Sequence, residues 1–211
     1  MKSFYLLLGG TLISLIGGLY MHHNVLIHSR MLQVLPIPQN ATLTQHSLID
    51  HDQLDCMARN IFFEARGEPA RGKAMVGLVV LERIQSPHFP HTVCQVVEQA
   101  EHDANGNIIR NKCQFSWVCD GKDHYIDLDN PCVQEEWKQS YLVAEMVMLH
   151  QVKEKIDMDG VTHYHNGTVS PDWAHNKNYR LVARIGHHLF YRWKNALLPK
   201  IENPKNQYAM R

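Results

Sequence analysis

The pattern of apolar and polar residues predicts two consecutive helices in the first half of the chain. In the first, apolar residues recur every three or four positions after Asp52, a residue type that caps helix N-termini. These residues are Leu54, Met57, Ala58, Ile61, Phe62 and Ala65. They lie on one helical face, and Glu64 falls at the edge of that face. Gly67 ends the helix, because glycine is common just after a helix C-terminus.

The second predicted helix runs from Ala70 to about Ile84, directly after Pro69. Its residues are apolar almost all round, which is typical of a helix buried at the centre of a domain. Ser86-Pro87 ends this helix, since proline disfavours a helical conformation in the residue before it.

The later part of the chain predicts further helices and a small sheet. A short helix follows His91-Thr92, and a longer one begins at Asn130-Pro131, a capping residue followed by proline at the first helical position. A hairpin turn is predicted at 103–107, and strands at 161–165, 180–185 and 188–193. We therefore expect a mostly helical α+β domain with a small antiparallel sheet.

The N-terminal segment has the composition of a membrane helix. Residues 3–20 carry no charge and are mostly apolar, near the lower limit of roughly 17–25 residues for crossing a bilayer. The only earlier charges are the amino terminus and Lys2, which predicts that the rest of the chain is exported. Gly17-Gly18-Leu19 matches a signal-peptidase site only weakly, so an uncleaved anchor is favoured over a signal peptide. We expect the domain outside the cytoplasmic membrane, anchored to it or, alternatively, secreted.

The segment after this helix contains prolines and polar residues with little periodicity, which is typical of a linker. The expected organisation is an anchor or signal peptide at 1–21, a linker at 22–50, a folded domain at 51–195 and a tail at 196–211. The formal net charge of zero argues against nucleic-acid binding, which requires a basic surface.

Five cysteines follow the predicted linker, and an oxidising compartment outside the membrane would pair some of them. Cys113 and Cys119 are close enough to close a small loop and are the favoured pair, followed by Cys56 with Cys94. The odd number leaves at least one unpaired cysteine. The spacing of Cys113 and Cys119 does not match short zinc-binding motifs, so we expect no metal.

Glu64 occupies a position where a carboxyl group can keep its proton near neutral pH. Partial burial beside Phe62 and Phe63 disfavours the charged form, and the partial negative charge of the helix C-terminus acts in the same direction. Arg66 would oppose this rise in pKa if it paired with Glu64. From its position alone, a glutamate near a helix end is more often an ordinary solvated surface residue.

Four ordered segments between residues 52 and 193 resemble the cell-wall hydrolase family typified by the spore-cortex-lytic enzyme SleB. They are NIFFEARGE at 60–68, VLERI at 80–84, CQFSW and CDG within 113–121, and THYHN, PDW and IGHHLFY within 162–191. The resemblance implies a lysozyme-like fold and cleavage of the bond between N-acetylmuramic acid and N-acetylglucosamine. It implies that 51–195 is a catalytic domain that acts on peptidoglycan glycan strands, with Glu64 as the catalytic acid.

Members of this family are associated with lytic transglycosylation, in which the muramyl 6-hydroxyl attacks and leaves a 1,6-anhydro end. The resemblance therefore implies that one glutamate acts first as acid and then as base, without a paired carboxylate. Neither a metal nor a cofactor is expected.

Three alternative functions stay open: a water-using muramidase, an amidase that cuts the peptide stem, and a non-enzymatic wall-binding protein. An intact Glu64 disfavours the last. A cellular and a phage origin remain equally open.

Within the same segments, several side chains are candidates for sugar contacts: Gln114, Phe115, Ser116, Tyr164, Asn166 and Trp173. Amide and hydroxyl groups can hydrogen-bond a sugar and aromatic rings can stack on it, although core and turn packing are alternative roles for these residues. His163 and His165 alternate with Tyr164 and share one strand face, where glycan binding or packing is favoured over a metal site.

Glu68 is the other carboxylate of the first segment. We expect it to support the site by holding Arg66 or by capping the helix that follows Pro69.

Overall fold

The computed structural model describes residues 49–196. Helix α1 spans His51–Ala65, and its N-terminus is capped by Asp50, whose side chain accepts hydrogen bonds from the backbone N–H groups of Asp52 and Gln53. The prediction that Asp52 is the cap is therefore wrong. Asp52 instead lies in the first helical turn, where a negative charge interacts favourably with the helix dipole.

The other helices agree with the predicted positions. Helix α2 spans Ala70–Gln85 and is buried along most of its length, which confirms it as the central helix. Helix α3 spans Val93–Val97, and Thr92 caps it by accepting from the N–H of Gln95. Helix α4 spans Pro131–Met148, with Asn130 as the cap.

Two antiparallel sheets complete the domain. Strands β1 (Ala100–His102) and β2 (Ile108–Cys113) form the predicted hairpin. Strands β3 (Val161–Asn166), β4 (Tyr179–Ile185) and β5 (His188–Trp193) form a sheet with β5 in the centre. The expectation of a mostly helical α+β domain with small antiparallel sheets is confirmed.

The core lies where α1 packs against α4, α2 and α3. From α1 it takes Met57, Ala58, Ile61 and Ala65, all fully buried. Both predicted disulfides are present. Cys56 of α1 is bonded to Cys94 of α3, and Cys113 of β2 is bonded to Cys119. Cys132 is free and exposed.

The predicted membrane segment at 3–20 lies outside the described residues, as do nearly all of the linker and the tail. Between residues 49 and 196, no helix has the length and apolar composition required to span a bilayer.

Candidate active site

Glu64 lies in the last turn of α1, partly exposed, as its place at the edge of the apolar face predicted. Burial raises the pKa of its carboxyl group above the usual 4.5. A hydrogen bond from Tyr164 and the positive charge of Arg83 lower this pKa without cancelling the effect of burial. The protonated form of Glu64 is thus favoured more than in a solvated glutamate.

Tyr164 of β3 is the direct partner of Glu64. Its hydroxyl donates a hydrogen bond to Glu64 Oε2 at 3.0 Å. Burial raises the pKa of Tyr164 well above its usual 10.0, so the phenol remains a donor throughout the range in which Glu64 titrates. The strand places this hydroxyl on the core side, because Tyr164 is paired with the buried Phe190 of β5.

Arg83 of α2 supplies the positive charge beside Glu64. Its side chain is only 4% exposed, and its Nε donates to the Thr162 carbonyl at 2.8 Å. Arg66 lies elsewhere, with its guanidinium 5.3 Å from the centroid of the Phe62 ring. The positive charge that opposes the rise in the pKa of Glu64 is therefore Arg83, and not the Arg66 considered from the sequence.

The predicted sugar contacts around Phe115 fall into two groups. Phe115 is 2% exposed, and its ring lies against the Arg83 guanidinium, 4.9 Å from centroid to carbon. Its predicted place beneath a sugar ring is wrong for this structure, because the ring belongs to the core. Gln114 and Ser116 on either side are exposed and stay candidates for contact with a sugar.

Trp173 lies on the side of the sheet opposite Tyr164. Its ring contacts His163 at 5.3 Å and His165 at 5.7 Å between centroids, and these two histidines alternate with Tyr164 along β3. The structure therefore does not bring Trp173 together with Glu64. Asn166 is exposed at the end of β3, where its side chain accepts from the N–H of Thr168.

Glu68 supports the site in a different way from the one predicted. It is buried and accepts two hydrogen bonds from His187, from the backbone N–H at 3.1 Å and from Nδ1 at 2.7 Å. No side chain caps α2. The expected roles in holding Arg66 or capping α2 are wrong, because the turn between β4 and β5 folds back onto Glu68.

A surface cleft of about 480 Å³ opens beside Arg59 of α1. Its other lining residues come from the segment before α4 and from α4 itself: Asp123, His124, Tyr125, Ile126, Leu128 and Trp137. None of the predicted sugar contacts lines it. Within 49–196, no group of three or more His, Cys, Asp or Glu side chains is arranged to hold a metal ion.

The geometry around Glu64 is suited to proton transfer. Glu64 as a residue is partly exposed, burial raises the pKa of its carboxyl group, and the two groups that act on its charge are a neutral phenol and a guanidinium. Neither of these groups is a second carboxylate. The arrangement can therefore hold a proton on Glu64 and stabilise the carboxylate that remains when the proton leaves.

Sequence comparisons find a matching family and similar proteins. The family model described as Cell Wall Hydrolase matches residues 67–191, a segment that begins just after Glu64. The spore cortex-lytic enzyme of Halalkalibacterium halodurans is 28% identical over 72% of this chain and 38% of its own length. That of Bacillus cereus is 35% identical over 28% of this chain and 23% of its own length. The chain thus aligns with well under half the length of these relatives.

Two solved structures are also similar. One is the catalytic domain of the germination-specific lytic transglycosylase SleB from Bacillus anthracis, 25% identical, with 67% of this chain and 94% of that chain covered and a TM-score of 0.46. The other is the catalytic domain of the Bacillus cereus SleB protein, 21% identical, with 67% and 91% covered and a TM-score of 0.42.

Proposed function

Because this chain belongs to the cell wall hydrolase family, we propose that it cleaves the peptidoglycan bond between N-acetylmuramic acid and N-acetylglucosamine, with Glu64 as the catalytic acid. The observation that carries the proposal is the environment of Glu64, whose pKa is raised by burial and whose carboxylate form accepts a hydrogen bond from Tyr164. The family implies the substrate, and the environment of Glu64 supports its role. We also propose that the domain has the lysozyme-like fold that the family resemblance implies.

The proposed reaction is a lytic transglycosylation. Protonated Glu64 gives its proton to the oxygen of the glycosidic bond while that bond to C1 of the muramic acid breaks. The 6-hydroxyl of the same sugar then attacks C1, and the Glu64 carboxylate accepts the hydroxyl proton. The product is a 1,6-anhydro end, no water is consumed, and Glu64 returns to its protonated state. Because a single group acts as acid and then as base, no paired carboxylate is required.

The same chemistry distinguishes the alternatives. A water-using muramidase would leave a reducing muramic end, and an amidase would release free stem peptides. The water-using route needs a second carboxylate roughly 5–9.5 Å from the acid, whereas the proposed route needs none.

We also propose that the domain works outside the cytoplasmic membrane, either held by residues 3–20 or secreted. The two disulfides support this location, because such bonds persist in oxidising compartments. A fusion of residues 1–50 to a reporter enzyme that is active only after export tests the proposal. Activity in the fusion is expected, and its absence would contradict export by this segment.

Replacement of the acid tests the proposed role of Glu64. We expect Glu64→Gln to lower the rate of clearing of a suspension of purified sacculi by at least about 100-fold, since an amide cannot donate the proton. Glu135→Gln is the matched control, because Glu135 is exposed on α4. Equal rates of clearing by Glu64→Gln and the parent protein would contradict the proposed mechanism.

A further inference from the structure

Arg83 is a charged residue at a position where the surrounding helix is apolar. It lies in α2 between Val79, Val80 and Ile84, and it is buried with them. Burying a guanidinium is costly unless an opposite charge or hydrogen-bond acceptors compensate it. Its Nε donates a hydrogen bond to the Thr162 carbonyl. Its Nη1 is buried and lacks a hydrogen-bond partner.

Two rings and one strand fix the position of Arg83. Its guanidinium carbon lies 5.1 Å from the centroid of Phe89 and 4.9 Å from that of Phe115. The Phe115 ring in turn lies 6.5 Å from Tyr164, the residue that donates to Glu64. The bond to Thr162 holds Arg83 to the same strand, two residues before Tyr164. Little rotational freedom is left to the guanidinium.

We propose that Arg83 is the buried counter-charge of Glu64: a positioning residue that stabilises the Glu64 carboxylate formed when the acid gives up its proton. The inference rests on the proposed role of Glu64 and assigns a function to a residue that does not reach the substrate. Burial alone would raise the pKa of Glu64 further and make the acid a weaker proton donor. A fixed positive charge makes the proton easier to release.

Among the described groups, Arg83 is the positive charge that lowers the pKa of Glu64. From β3, Tyr164 is neutral, and burial together with the charge of Arg83 lowers the pKa of His163 to about 4, so His163 is also neutral at pH 7. Lys73 Nζ of α2 lies 2.6 Å from Glu136 Oε2 of α4, so these two charges compensate each other.

The pKa of Glu64 in variants of Arg83 tests the proposal without using any substrate. The side-chain carboxyl carbon of Glu64 is followed by NMR titration of carbon-13-labelled protein and assigned by its loss in Glu64→Gln. Arg83→Met removes the charge at similar length, and we expect the pKa of Glu64 to rise. Arg83→Lys retains the charge and should keep the pKa close to that of the parent. A folded Arg83→Met variant with an unchanged pKa of Glu64 would overturn the proposal.

A second measurement uses the parent protein, in case Arg83→Met does not fold. The Nε resonance of Arg83 should shift as Glu64 titrates, with the same midpoint, and this shift should vanish in Glu64→Gln. An Nε resonance that does not respond to Glu64 contradicts the proposal whatever the fate of Arg83→Met.

Activity then separates this inference from the proposed function. Cleavage requires protonated Glu64, so the rate falls as the pH rises through the pKa of Glu64. In Arg83→Met we expect this alkaline limb to move to higher pH and kcat to fall about tenfold, with Arg83→Lys restoring the limb. If Glu64→Gln stays fully active, the proposed function is wrong. The effect of Arg83 on the pKa of Glu64 is still tested independently by NMR.

Discussion

The pKa of Glu64 is set by opposing effects from three separate elements. Burial in the last turn of α1 raises its pKa, whereas Tyr164 of β3 and Arg83 of α2 lower it. Burial has the largest effect, so the pKa of Glu64 is raised overall, and the other two groups stabilise the carboxylate when the proton leaves. A group that serves as acid and then as base requires both properties.

The hydroxyl of Tyr164 provides a prediction at this scale. Tyr164→Phe removes the hydrogen bond to Glu64 Oε2. Since that bond favours the charged carboxylate, its loss raises the pKa of Glu64 and moves the alkaline limb of kcat/KM to higher pH. We expect kcat to fall about tenfold. Profiles of kcat/KM against pH on soluble glycan fragments measure both effects.

Tyr141→Phe is the matched control, because Tyr141 lies on α4 and packs against Trp137. Its profile should overlay that of the parent. A profile of Tyr164→Phe that also overlays the parent would show that the hydroxyl has no influence on the catalytic proton.

The sequence predicted part of this site. The helical phase placed Glu64 at the edge of the apolar face of α1, and that position is confirmed. The bond from Tyr164 could not be predicted from spacing, because the two residues are 100 positions apart and meet only through the packing of β3. Arg83 did leave a signal, since a charged residue within an apolar helix is rarely buried without a role.

At the scale of elements, the turn between β4 and β5 is held against the loop that links α1 to α2. Gly186 has a positive φ of 58°, and a Cβ there would lie 1.6 Å from Glu68 Oε2. His187, the next residue, donates both of its hydrogen bonds to the same carboxylate. Only glycine therefore permits this close approach, which fixes the sheet relative to the helix end that carries Glu64.

A glycine substitution tests this contact. Gly186→Ala introduces a left-handed conformation for alanine, which costs about 1–2 kcal/mol, and adds a clash with Glu68. Gly106→Ala is the matched control, because Gly106 has a φ of 83° but open space around its Cβ position. Urea unfolding should show a larger loss for Gly186→Ala than for Gly106→Ala. Equal losses in the free energy of unfolding would mean that the Glu68 side chain moves away from the added methyl group without destabilising the domain.

The sequence predicted the elements better than their contacts, for a physical reason. Apolar periodicity and capping residues are local, so α2, α4 and the strands lie close to their predicted positions. The partner of Glu68 was predicted among its neighbours in sequence. In the structure it is His187, which only the folding of the sheet onto α1 brings near.

For the whole molecule, the two disulfides close loops of very different length. The Cys56–Cys94 bond spans 38 positions and joins two helices, whereas Cys113–Cys119 spans 6. Restricting the unfolded chain stabilises more when the closed loop is longer. The bond between α1 and α3 should therefore contribute more to the stability of the domain.

Paired serine substitutions measure this difference. Replacing Cys56 and Cys94 should reduce the free energy of unfolding by about 4 kcal/mol, and replacing Cys113 and Cys119 by about 2 kcal/mol, on chain-entropy grounds. Urea unfolding of both double variants at one pH gives the comparison. The reverse order would place the stabilisation in the folded state rather than in the unfolded chain.

The products of cell-wall digestion test the central claim for the whole molecule. Purified sacculi are digested with the parent protein and with Glu64→Gln, and the released fragments are analysed by mass spectrometry. The account predicts glycan fragments with 1,6-anhydromuramic ends from the parent and almost none from Glu64→Gln. Reducing muramic ends, free stem peptides or undiminished release by Glu64→Gln would contradict it.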